Sequence, residues 1–71
     1  MNLLICVRND GYEAALEPRK LYEKLDDPQA ESLGMVRVVD ESGQDYLYSV
    51  QMFEPIEIPA QLEGRLFRRA A

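Results

Sequence analysis

Two short runs with alternating residues, 35–39 (MVRVV) and 46–50 (YLYSV), are separated only by the polar stretch DESGQD. No other feature constrains the chain as much. Alternation with period two is the pattern of a half-buried strand, and Gly43 inside a polar connection supplies the bend of a hairpin. Val36 and Val38 face one way from the first strand, and Tyr46, Tyr48 and Val50 form a row on one face of the second.

The rest of the chain supplies short elements around that hairpin. Residues 2–9 (NLLICVRN) are rich in aliphatic and β-branched side chains and end at Asn9-Asp10-Gly11, where glycine accepts a positive φ. A strand here puts Leu3, Ile5 and Val7 on one face and Leu4, Cys6 and Arg8 on the other. Residues 12–25 have two readings. Ala14, Ala15, Leu16, Leu21 and Leu25 suit a helix, yet Pro18 removes a donor and drives Glu17 out of the helical region. The second reading is an irregular excursion over 12–17 followed by a strand over 19–25. Pro28 suits the first position of one helical turn, with Asp27 as its cap and Gly34 at its exit. Residues 54–59 (EPIEIP) are extended, and their prolines confine them to an edge or an end of a sheet. In the tail, Leu62 and Leu66 stand at helical spacing beside Phe67, with Arg65, Arg68 and Arg69 toward the end. Gly64 costs such a helix about 1 kcal/mol, and a helix this short needs a docking surface to be ordered.

Composition bounds what these elements can do. A chain of 71 residues is one domain that removes only about 60% of its unfolded surface from water. A small-molecule pocket of roughly 300 Å³ would take a large share of such an interior, which favours a binding module over an enzyme. Eight basic against thirteen acidic residues give a net charge of −5, so nucleic acid and anionic lipid are repelled and basic partners attracted. The single cysteine, Cys6, excludes an internal disulfide, and no run approaches the ~20 apolar residues of a membrane span. The expectation is a cytoplasmic protein.

No histidine is present, so Ser-His and Cys-His nucleophile pairs are impossible. Cys6, among Leu4, Ile5 and Val7, reads as a packing residue. Asp40, Glu41, Ser42 and Asp45 offer oxygen ligands, but they lack the alternate carboxylates and distant glutamate of a calcium loop. They read as a solvated hairpin loop. No catalytic residue, metal or cofactor is expected.

The stretch from Gly34 to Phe53, with Val38-x-Asp40-Glu41-Ser42-Gly43-x-Asp45-Tyr46-Leu47-Tyr48 inside it, resembles the distal hairpin of SH3-like barrels. The whole chain is similar to a group of uncharacterised bacterial proteins of about this length. Asn9 to Ala14 (NDGYEA), Arg19-Lys20-x-Tyr22 and Phe53-x-Pro55-Ile56-Glu57-x-Pro59 carry that likeness. The resemblance implies a mainly β chain: an SH3-like small barrel of about five strands over residues 1–59. It further implies a strand at 19–25 and a 3₁₀ turn at 49–52; the spacing of Leu62 and Leu66 adds a short helical tail over 60–71. Tyr12 then stands for one tyrosine of the family's ligand groove and Phe53 lies near another. The chain has no tryptophan, and Ser49 replaces the proline that usually begins the turn.

Tyrosines give interface area and a polar tip at low entropy cost. The expected function is therefore a non-enzymatic protein-interaction module with an aromatic surface of Tyr12, Tyr48 and Phe53 and an acidic rim. Its partner is another protein, basic in character, or a second copy. The alternative is an acidic regulatory or antitoxin-like protein that masks a basic partner.

Overall fold

The computed structural model describes residues 2–67. Five strands, β1 (Asn2–Cys6), β2 (Leu21–Leu25), β3 (Met35–Val39), β4 (Asp45–Ser49) and β5 (Phe53–Ile56), form one sheet in the order β4-β3-β2-β1-β5. Every neighbouring pair is antiparallel, and the sheet is unclosed, with β4 and β5 at its two edges. Two helices, α1 (Pro28–Glu31) and α2 (Ala60–Phe67), and a 3₁₀ turn (Val50–Met52) complete the fold.

The hairpin forms as its alternation predicts. Val36 pairs with Tyr48 and Val38 with Tyr46. Val36, Val38 and Tyr48 are buried, so this face of the hairpin covers the core. On β1 the core face is Leu4 and Cys6, which join Leu16, Tyr22 and Phe53 in the same cluster. Val7 extends past the strand and is exposed.

Residues 12–25 are not a helix. From residue 7 to residue 20 the chain makes an irregular excursion, pinned at its base by Arg19 N–H to Cys6 C=O and Cys6 N–H to Lys20 C=O. Leu16, 1% exposed, is its anchor in the core, and the Asn9 side-chain amide ties back to the Leu16 carbonyl at 3.0 Å. The strand begins at Leu21, two residues later than the pattern predicts, because Arg19 turns the chain with φ of 68°.

The capped turns follow the local chemistry. The Asp27 carboxylate accepts from the Ala30 N–H at 3.1 Å, Pro28 opens α1, and Gly34 leaves it with φ of 78°. The 3₁₀ turn is one residue shorter than predicted, because Ser49 is its cap and accepts from the Gln51 N–H at 3.2 Å. Arg37 on β3 then joins the two ends of this region. Its guanidinium donates to Asp27 and to Asp45, each at 3.0 Å. The helix α2 buries none of its residues, and Leu62 and Leu66 face solvent. Arg68 and Arg69 lie outside the described residues.

Candidate functional site

Four aromatic rings form a chain from the surface into the core. Tyr12, on the excursion, meets Tyr48 of β4 edge to face with ring centroids 5.0 Å apart. Tyr48 contacts Phe53 at 6.1 Å, and Phe53 contacts Tyr22 of β2 at 6.3 Å. Edge-to-face pairs of this kind place the positive rim of one ring on the negative face of the next.

Two consecutive acids hold the hydroxyl ends of the inner tyrosines. Asp40, only 6% exposed, accepts from the Tyr48 hydroxyl at 2.6 Å, and from the Ser42 N–H and Ser42 hydroxyl at 2.8 and 2.5 Å. Glu41 accepts from the Tyr22 hydroxyl at 2.5 Å and pairs with the Lys20 ammonium. The Glu41 N–H also donates to the Ala15 carbonyl, so one residue ties the hairpin loop to the excursion. Tyr22 is saturated on both sides, since its oxygen accepts from the Glu17 N–H at 2.8 Å.

The charge states follow from these bonds. Burial pushes the Asp40 pKa upward, but the donors from Ser42 and Tyr48 outweigh it and leave a net lowering. The Lys20 ammonium, then the Tyr22 hydroxyl, lower Glu41. Both Tyr22 and Tyr48 are raised, first by burial and then by bonding to a carboxylate. At neutral pH the pair is therefore two carboxylates accepting from two neutral phenols. Each phenol proton is held by one carboxylate.

This arrangement corrects two expectations. Tyr48 and Phe53, expected on an exposed aromatic surface, are 3% and 4% exposed and belong to the core; Tyr12, at 47%, is the one of the three at the surface. The DESGQD loop is not solvated throughout, because Asp40 is buried as the acceptor for Tyr48. Tyr46 lies in the expected row with Tyr48 but outside the expected aromatic surface of Tyr12, Tyr48 and Phe53. It shares the face of Tyr48 two residues away and is 49% exposed, with its hydroxyl donating to Gln44 at 3.1 Å. The available signal was the β4 edge position, where a ring has a neighbouring strand on one side only.

The surface feature is therefore a pair of half-exposed tyrosines: Tyr12, whose ring meets the buried Tyr48, and Tyr46, two residues before Tyr48 on β4. Asp10 and Glu13 flank Tyr12 in the chain and are exposed. No family model, no curated protein and no solved structure is significantly similar to this chain. Cys6 is fully buried with its thiol bonded to the Arg8 carbonyl, and burial raises its pKa. Among the described residues, no group of three or more His, Cys, Asp or Glu side chains is placed to hold a metal ion.

Proposed function

We propose that this chain is a non-enzymatic protein-interaction module of SH3-like architecture, whose contact surface is centred on Tyr12 and Tyr46. The observation that carries the reading is the support beneath the Tyr12 ring. Tyr12 is half exposed yet packed edge-on against a buried tyrosine whose hydroxyl is bonded to a buried carboxylate. A ring held in this way loses little further freedom on binding, which is how tyrosine becomes an interface anchor. The strand order and the long excursion between β1 and β2 support the SH3-like assignment. Asp10, Glu13 and the net charge of −5 favour a partner with basic residues around the contact.

The test is a double variant, Tyr12→Ala with Tyr46→Ala, compared with the wild type in affinity capture from the source cell. Both rings are half exposed, so the double variant is expected to stay folded by circular dichroism and to melt only a few degrees lower, the Tyr12–Tyr48 ring contact being worth about 0.5–1.5 kcal/mol. Truncating an anchor tyrosine weakens binding by about 2 kcal/mol or more, so partners retained by the wild type are expected to be lost. A folded double variant that keeps every partner of the wild type rejects this surface.

A further inference from the structure

The two edges of the sheet differ in what their backbones offer. In an antiparallel ladder, hydrogen-bonded and non-bonded pairs alternate, so the backbone groups of alternate residues point away from the neighbour. Val50 N–H donates to Gly34 C=O and Asp40 N–H to Gln44 C=O, in the same register that pairs Val36 with Tyr48. The backbone groups of Tyr46 and Tyr48 therefore point to β3, and those of Asp45, Leu47 and Ser49 point outward. At the other edge, Val7 N–H donates to Met52 C=O, which turns Phe53 and Pro55 outward. The Phe53 N–H is already bonded to the Val50 carbonyl, and Pro55 has no N–H. One edge presents free donors; the other does not.

Exposed edges are usually guarded by lysine, proline, a bulge or an unpaired charge. Strand β4 (DYLYS) has no lysine, arginine or proline, and its one charge, Asp45, is held by Arg37 at 3.0 Å. Leu47, at the middle of the strand, is 41% exposed.

We propose that β4 pairs antiparallel with β4 of a second copy about a two-fold axis at Leu47. In that register every outward N–H meets an outward carbonyl. Leu47 stands against the partner's Leu47, and Asp45 stands against the partner's Ser49. The Ser49 oxygen already accepts from the Gln51 N–H, which leaves its proton for the partner's Asp45. Registers shifted by two residues strand donors at both ends, and the register that opposes Asp45 to the partner's Asp45 sets like charges together. The strand is self-complementary in one alignment. In the same register Tyr46 stands against the partner's Tyr48, so the two Tyr12–Tyr46 surfaces meet at the seam.

Sedimentation of the full chain over a range of concentrations tests this. The wild type is expected to reach twice the chain mass, and to associate more tightly as salt screens the repulsion between two copies of net charge −5. Leu47→Lys, at an exposed side chain, is expected to stay folded and to weaken association by about tenfold or more. Leu47→Cys is expected to cross-link two copies under mild oxidation, since Cys6 is fully buried and does not compete. Val50→Cys, equally exposed but with its backbone turned to β3, is expected to cross-link poorly. A wild type that stays at single-chain mass at every concentration overturns the proposal. So does a dimer that Leu47→Lys leaves intact, which would place the contact elsewhere.

Discussion

Asp40 is a charged residue at 6% exposure whose acceptor oxygens are filled by Ser42 and Tyr48. Removing one donor leaves part of that demand unmet, which costs about 1–3 kcal/mol for a buried group. Tyr48→Phe is accordingly expected to lower the free energy of unfolding by that amount in denaturant titration. A loss of less than about 0.5 kcal/mol, the range of ordinary surface substitutions, would show that Asp40 finds another donor. The same contacts set the pH range. Asp40 and Glu41 titrate below their ordinary 3.8 and 4.5, so their contribution is whole above those values and is lost as pH falls through the folded ones. Tyr22 and Tyr48 titrate above their ordinary 10.0, so their contribution is whole below it and declines at higher pH as the unfolded chain ionises first. Thermal melts are expected to show a plateau through neutral pH with a fall on each side, and Tyr48→Phe is expected to flatten the alkaline fall. An alkaline fall unchanged in that variant would remove Tyr48 from the account.

At the scale of elements, what could be read in advance was what local chemistry decides. The β3–β4 hairpin was legible because period-two alternation has one outcome, and α1 because Asp27, Pro28 and Gly34 each act within one turn. The excursion was legible only as one of two readings, since Ala14, Ala15 and Leu16 suit a helix while Pro18 argues against one, and only the core decides where Leu16 goes. The Asp40–Tyr48 bond was hidden for a geometric reason. Tyr48 is paired with Val36, and four residues of flat strand at ~3.3 Å each would put Asp40 beyond the ring's reach. The bond depends on how the chain turns after β3, where Asp40 N–H meets the Gln44 carbonyl, and not on the residue pairing alone. Leu16→Ala is expected to cost about 2–5 kcal/mol as a buried leucine truncation. Hydrogen exchange should then accelerate first at Glu41, whose N–H is bonded to Ala15, before Tyr46 and Tyr48 in the hairpin. Equal acceleration at all three would mean that the excursion and the hairpin open as one unit.

For the molecule as a whole, thirteen acids against eight bases leave a self-repelling surface. Moderate monovalent salt is expected to raise the melting temperature of a dilute sample, because screening the excess acids outweighs weakening exposed pairs such as Arg8–Asp10. A lower melting temperature in salt would mean that the ion pairs of Arg37 and Lys20 dominate instead. The asymmetry between the two sheet edges has a consequence for assembly size. A sheet that can be extended on one side only can be extended once: after two copies meet at β4, both ends of the joined sheet are β5, where Pro55 offers no donor. Pro55 thus works as a chain terminator for sheet growth. Restoring an N–H at that position would return one outward donor to the β5 edge, a step toward the two adhesive ends that an open-ended fibre requires.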